Sequence, residues 1–203
     1  MKKRYSKKRT NLYIDGTNLF AGQYEFFGPK KYLDFSRLIK ELQKKIKPKF
    51  DKIYFYGSYS PKPEKLTKRQ KLYLKNEALF YRNVRKTKNV VFFKGYRSKT
   101  SGKEKGVDVK LAADLVSFAF LNKYDVIYLF SGDADFLQAL FNIRQFCSDK
   151  EIFILCLQNK IMYKGAFHFQ TYIIELDRAK IKFHKSQKIK IINVRRKNIT
   201  VFS

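Results

Sequence analysis

The chain has 203 residues, 45 of them Lys or Arg and 17 Asp or Glu, so its formal net charge is +28. Its length is that of one domain with a full core, and a hydrophobic content of 44% excludes wholesale disorder. A charge this far above what solubility requires indicates a polyanionic partner, although a lysine-rich composition that reflects an AT-rich genome would also raise it.

Cysteines and apolar runs indicate the compartment. Cys147 and Cys156 lack the spacing of metal ligands and fit a reducing environment. The sequence has no apolar run near the roughly 20 residues that a membrane helix needs. No apolar signal-peptide core follows the basic N-terminus. We therefore expect a soluble, cytoplasmic protein with no membrane partner.

Short apolar strands alternate with helices along the chain. The predicted strands cover residues 12–14, 52–59, 90–94, 126–130 and 152–157, and the predicted helices cover residues 34–46, 65–86, 107–121 and 136–146. The first helix carries Phe35, Leu38, Ile39 and Leu42 on one face. Residues 97–105 are polar and are predicted to form a loop. This alternation favours right-handed crossovers and an α/β fold with a mostly parallel sheet.

Four aspartates stand where such a fold brings side chains to one edge of the sheet. Asp15 ends the first strand, Asp108 opens the third helix, and Asp133 and Asp135 follow the fourth strand. In open α/β sheets, ligands bind beyond the carboxyl ends of the strands. Asp108 starts from that edge too, because its helix leaves the third strand. We therefore expect all four carboxylates to converge.

Each acidic segment also has a simpler interpretation. Helical spacing puts Asp108 at the head of a stripe with Ala112, Leu115 and Ala119, where a charge is costly unless it is paired or bound to metal. A helix cap or a favourable first-turn charge would explain Asp108 equally well. Residues 15–18 fit a strand-ending turn, and Asp135 fits a cap of the next helix. Asp114, at the edge of the same helix face, fits a solvated position.

The clustered carboxylates predict a divalent cation. Hard oxygen ligands favour Mg²⁺ or Mn²⁺, and no Cys/His cluster indicates zinc. Such an ion would activate a water molecule and stabilise charge on a scissile phosphate. Lysines would neutralise the neighbouring phosphates, and Lys105, three residues before Asp108, is suited to this.

Three ordered segments resemble the signature of NYN domains, which belong to the PIN-like nuclease superfamily. They are YIDGTN at 13–18, KGVDV at 105–109 and SGDADF at 131–136, and the similarity extends from about residue 11 to 158. The resemblance implies a three-layer α/β/α domain with a five-stranded sheet of order 3-2-1-4-5. It also implies an Mg²⁺-dependent ribonuclease site, with metal-binding or catalytic roles for Asp15, Asp108, Asp133 and Asp135 and supporting roles for Asn18 and Ser131.

Basic residues dominate both ends of the chain. Residues 1–10 include six Lys or Arg, and no acidic residue follows Asp177. We therefore predict a basic tail at 1–10, a nuclease domain at 11–177 and a basic extension at 178–203, whose alternating pattern indicates a short β-hairpin. The candidate RNA-binding residues are Lys94, Arg97, Lys103, Lys105, Arg195 and Arg196.

The predicted function is a metal-dependent, endonucleolytic ribonuclease in which a cation held by the aspartates activates water. The main alternative is a PIN-like module that binds RNA without cleaving it. A haloacid-dehalogenase phosphatase is a weaker alternative, because its nucleophilic aspartate would stand at Tyr13. RNA or DNA as substrate, and monomer or homodimer as the oligomeric state, stay open at this stage.

Overall fold

Seven strands form one sheet at the centre of the fold. The computed structural model describes residues 7–97, 104–160, 169–176, 188–189 and 193–197. The strands are β1 (Thr10–Asp15), β2 (Lys52–Gly57), β3 (Val90–Lys94), β4 (Val126–Phe130), β5 (Glu151–Leu157), β6 (Gln170–Glu175) and β7 (Asn193–Lys197). The α-helices in these ranges are α1 (Gly16–Phe27), α2 (Phe35–Ile46), α3 (Lys68–Lys86), α4 (Val107–Phe120) and α5 (Leu137–Phe146).

The strand order is β7-β6-β5-β4-β1-β2-β3. Strands β1 to β6 are parallel, and β7 pairs antiparallel with β6. The five predicted strands occupy the predicted order 3-2-1-4-5, so the α/β fold class is confirmed. The predicted count of five was too low, because β6 extends the parallel set to six and β7 is added at its edge.

Helices cover both faces of the sheet and make the fold three-layered. Leu12 and Ile14 of β1 belong to the core cluster that includes buried residues of α1, α2 and α3. Tyr13, between them, belongs to the cluster that includes buried residues of α4 and α5. All six residues of β1 are buried, as expected for a central parallel strand covered on both faces.

Helix α1 was not predicted from the sequence. It contains Gly16 and Gly22 together with Thr17 and Asn18, which are all poor helix formers. Tertiary packing overrides these propensities. A Cβ atom at Gly16 would lie 2.2 Å from the Phe55 ring, so α1 approaches β2 more closely than a larger residue would allow.

Other element boundaries follow local capping and pairing. Helix α2 buries Phe35, Leu38, Ile39 and Leu42, so its predicted face is confirmed. Helix α3 begins at Lys68 rather than at residue 65, because Thr67 and Gln70 form a capping box. The prediction of a loop at 97–105 was wrong at its ends, where Tyr96–Arg97 pairs antiparallel with Glu104–Lys105.

The described parts of the two termini pair with the domain. The Arg9 guanidinium donates two hydrogen bonds to the Asp125 carboxylate, at 2.8 and 3.0 Å, its backbone N–H donates a third at 2.7 Å, and β1 already begins at Thr10. Lys188–Ile189 pairs in parallel with Tyr32–Leu33, and β7 pairs with β6. The predicted hairpin stays a prediction, because residues 181–183, the first of the two alternating segments that indicated it, lie outside the described residues. No helix within the described ranges is long and apolar enough to cross a membrane.

Candidate active site

Asp15 lies at the junction of β1 and α1 and is almost fully buried, with 3% of its surface exposed. As the N-cap of α1 it accepts a hydrogen bond from the Asn18 backbone N–H at 2.9 Å. Its second carboxylate oxygen accepts a hydrogen bond from the Ser131 hydroxyl at 2.9 Å. The two bonds hold the carboxylate at the carboxyl end of the central strand, beside a helix N-terminus that favours negative charge.

Ser131 and Asn18 connect this junction to the loop after β4. The fully buried Ser131 hydroxyl oxygen accepts a hydrogen bond from the Asp133 backbone N–H at 3.1 Å. The Asn18 side-chain oxygen accepts one from the Gly132 N–H at 3.2 Å. Residues more than 110 positions apart are thus brought together where β1 and β4 end.

Asp133 and Asp135 lie on a 3₁₀ turn at residues 134–136 that precedes α5. Asp133 is half-buried and its carboxylate accepts a hydrogen bond from the Asp135 N–H at 3.0 Å, so it caps the turn. The simpler interpretation, in which Asp135 is a helix cap, was therefore wrong, because the residue that caps the turn is Asp133, two positions earlier. The Asp135 side chain is exposed.

Asp108 lies in the first turn of α4 and is exposed. The prediction that it heads the buried face was wrong. Gly106 caps α4 with a φ of 80° and starts the helix so that Val107, Leu111 and Leu115 face the sheet. Because a helix has about 3.6 residues per turn, this stripe leaves Asp108 to one side.

Asp114 is buried rather than solvated. Its carboxylate accepts a hydrogen bond from the Tyr56 hydroxyl at 2.8 Å and pairs with Lys110 one turn earlier. These partners satisfy the charge within the fold. Asp114 therefore tethers α4 to β2.

Asp15 has a strongly perturbed acidity. Burial raises its pKa from an ordinary value of 3.8 to about 6, against the opposing effect of the Asn18 and Ser131 hydrogen bonds. The negative charges of Asp108 and Asp133 raise the pKa further. Two predicted members of the site therefore act electrostatically on a third, and a bound cation would relieve this repulsion.

The carboxylates suit a cation that keeps part of its water shell. In the portions of the chain that the structure describes, no three Asp, Glu, His or Cys side chains approach closely enough to surround one ion. Mg²⁺ usually retains several waters and is bound by one or two carboxylates together with substrate phosphates. The buried Asp15 carboxylate and the neighbouring carboxylates of Asp108 and Asp133 would supply oxygen ligands, the kind that Mg²⁺ or Mn²⁺ prefers.

The predicted RNA-binding residues are scattered. Lys94 is exposed at the carboxyl end of β3, and Asp15 lies at the carboxyl end of the parallel strand β1. The backbone of Arg97 and Lys105 lies in the short ladder before α4, and Lys103 lies outside the described residues. Arg195 and Arg196 lie on β7, four strands from β1 and therefore roughly 19 Å away, at about 4.8 Å per strand.

The loop after β5 supports the site and was missed by the sequence analysis. A Cβ atom at Gly132 would lie 1.4 Å from the Lys160 carbonyl oxygen, so this loop packs directly on the site backbone. Asn159 donates hydrogen bonds to the Gly22 carbonyl at 2.9 Å and to the Glu25 carboxylate at 3.1 Å. In the sequence, the only signal of this loop is a polar run after an apolar strand.

Comparisons with known proteins bear on the family and on the fold. A sequence model of the NYN domain family matches residues 9–173. A crystal structure of a protein of unknown function from Vibrio parahaemolyticus is similar with a TM-score of 0.59, at 15% identity, over 85% of this chain and 94% of that one. At that identity the likeness shows the fold alone. No curated protein matches the chain.

Proposed function

The chain belongs to the NYN domain family, a family of PIN-like nucleases, and we propose that it is an Mg²⁺- or Mn²⁺-dependent endoribonuclease. Its proposed substrate is RNA, whose phosphodiester bonds it hydrolyses at the Asp15 edge of the sheet. The observation that carries this proposal is the buried Asp15 carboxylate, which the charges of Asp108 and Asp133 disfavour. A buried charge of this kind lowers the stability of the fold, and a bound cation would stabilise the charge.

The proposed roles follow from the contacts of each side chain. Asp15 would hold the cation with Asp108 or Asp133, and Asp135 is a further acidic group at the same loop. Ser131 and Asn18 would keep the carboxylate and the Gly132 backbone in register through the hydrogen bonds at 2.9 and 3.2 Å. When bound, the cation would supply an activated water and offset the charge of the phosphate. The protein itself would orient the carboxylates.

Basic residues would hold the RNA backbone. The exposed Lys94 is on the correct edge, and Lys105 lies three residues before Asp108. The outer face of α3 adds Lys68, Lys71, Lys75 and Arg82, which are all exposed. The single acidic residue of α3, Glu77, is buried. This face would therefore attract phosphates with little competition from negative charge.

Cleavage of labelled RNA by Asp133→Asn tests the proposal. The change keeps the shape of the side chain and an oxygen to cap the Asp135 N–H, but removes the charge that a divalent ion requires. We expect Mg²⁺-dependent cleavage to fall by at least two orders of magnitude, the scale of losing one electrostatic catalytic group. RNA affinity, measured in EDTA, should be unchanged or higher because repulsion of phosphate is removed.

Asp149→Asn is the matched control, since Asp149 is an exposed surface residue paired only with its neighbour Lys150 in the described structure. It should cleave like the wild type. Wild-type protein that binds RNA but cleaves none with Mg²⁺ or Mn²⁺ would support the non-catalytic RNA-binding module instead.

A further inference from the structure

A second concave surface opens beside the proposed catalytic edge. It is a cleft of about 520 Å³ lined by Ser58, Tyr59, Ser60, Lys94, Gly95 and Tyr96. This volume is within the range of about 300–1,000 Å³ that is usual for small-ligand sites. The cleft is formed by the loops that follow β2 and β3, which are joined by a hydrogen bond from the Gly95 N–H to the Gly57 carbonyl at 3.0 Å.

The cleft is near Asp15. Asp15 pairs with Tyr56 on the neighbouring strand, and Ser58 follows two residues later. Strand spacing and rise place the backbone of Ser58 roughly 8 Å from that of Asp15. A strand of nucleic acid with one phosphate at Asp15 could therefore place an adjacent nucleotide in the cleft.

Two tyrosines line the cleft. Tyr96 is 66% exposed, an unusual position for a large aromatic side chain. A Cβ atom at Gly106 would lie 3.0 Å from the Tyr96 ring, so the ring packs on the turn that starts α4 and carries Asp108. Tyr59 is held edge-on against Tyr81, with ring centroids 5.0 Å apart. Both rings are positioned by the fold.

The two serines of the cleft differ in their hydrogen bonding. Ser58 is 4% exposed, and its hydroxyl oxygen finds no hydrogen-bond partner among the described residues. A buried hydroxyl is costly without a partner, so an atom of the occupant would satisfy it. Ser60 is fixed by two hydrogen bonds to Glu77, at 2.7 and 2.9 Å. The exposed Lys94 supplies positive charge, and its ammonium lies 5.5 Å from the centroid of the Tyr59 ring.

We infer that this cleft binds one unpaired nucleobase of an RNA strand whose adjacent phosphate lies at the Asp15 site. Tyrosine rings on which a base can stack, a buried hydroxyl without a partner among the described residues and a lysine for phosphate are groups that recognise a nucleotide. Bases in a duplex stay stacked in the helix, so the strand must be single at this point. The identity of the ligand rests on the proposed ribonuclease function.

Binding of two labelled strands in EDTA tests the inference without cleavage. One strand is oligouridine and the other is an abasic ribose–phosphate strand of the same length. The wild type should prefer oligouridine. Tyr96→Ala should lower the affinity for oligouridine about tenfold, the scale of losing one stacked base, and leave the affinity for the abasic strand unchanged. Tyr96→Phe keeps the ring and should retain the preference.

Phe146→Ala is the matched control, because Phe146 is 60% exposed at the end of α5 and does not line the cleft. It should bind both strands like the wild type. A preference that survives Tyr96→Ala, or an equal loss of affinity for both strands, would overturn the base-binding cleft.

Cleavage by the same proteins separates this inference from the proposed function. If the wild type cleaves RNA and Tyr96→Ala leaves the strand preference unchanged, the base-binding cleft is refuted and the proposed ribonuclease function stands. If the preference depends on Tyr96 but no cleavage occurs in Mg²⁺ or Mn²⁺, the base-binding cleft stands and the proposed ribonuclease function is refuted.

Discussion

At the scale of single residues, Asp15 combines a structural and a chemical role that conflict. Its hydrogen bonds from Asn18 and Ser131 join β1, α1 and the loop after β4. Its burial and the charges of Asp108 and Asp133 nevertheless disfavour its ionised form. Functional sites commonly contain groups that reduce stability in this way. Asp114 differs, because Lys110 and Tyr56 satisfy its charge.

This conflict predicts a pH-dependent gain of stability in Asp15→Asn. Because the native pKa of about 6 exceeds the ordinary 3.8, ionisation costs stability as pH rises through this window and costs nothing below it. At pH 7 in EDTA the variant should be more stable, by up to about 3 kcal/mol. Thermal unfolding would measure the difference, which should shrink as the pH falls and vanish below about pH 3. An equal or lower stability at pH 7 would contradict the assignment of Asp15 as a strained charge.

At the scale of elements, the predictable parts were those with strong local patterns. The four apolar residues of α2 at helical spacing and the apolar runs of the five strands identified their elements. Helix α1 was missed because its glycines serve tertiary packing against local propensity. Strand β7, NVRRK, has no apolar alternation to reveal it and is added by pairing with β6.

Part of the candidate site could likewise be predicted from the sequence, and part could not. The order of its motifs along the chain was enough to bring Asp15, Asn18 and Ser131 together, because parallel strands share one edge. The orientation of Asp108 was not predictable from spacing alone. It depends on the positive φ of Gly106, which sets the phase of α4.

The contact between the loops after β4 and β5 predicts a severe effect of Gly132→Ala. The added methyl group would lie 1.4 Å from the Lys160 carbonyl oxygen, so one of the two loops must move. We expect a loss of stability of about 1–3 kcal/mol, as for other overpacked sites, and loss of cleavage because Asp133 moves with the loop. Urea unfolding and RNA cleavage would measure both effects. Ala134→Ser, at an exposed neighbouring position, should change neither, and a fully stable and active Gly132→Ala would refute the packing of these loops.

At the scale of the whole molecule, the Asp15 carboxylate and the two aspartates whose charges act on it belong to a strongly basic chain. The net charge of +28 would draw polyanions to much of the surface, including the exposed lysines of α3. Around Asp15, Asp108 and Asp133, the negative charges would repel phosphate unless a cation is bound there. This arrangement separates general attraction to RNA from the proposed chemistry, which is confined to one edge of the sheet.

Anomalous diffraction from crystals grown with Mn²⁺ tests the central claim most directly. We expect a peak bonded to a carboxylate oxygen of Asp15 and to Asp108 or Asp133, at about the 2.0–2.1 Å typical of such small hard cations. The peak should be absent from Asp15→Asn crystals grown in the same way. Wild-type crystals with no peak at Asp15, or with Mn²⁺ bound only elsewhere, would contradict a cation site at this edge of the sheet.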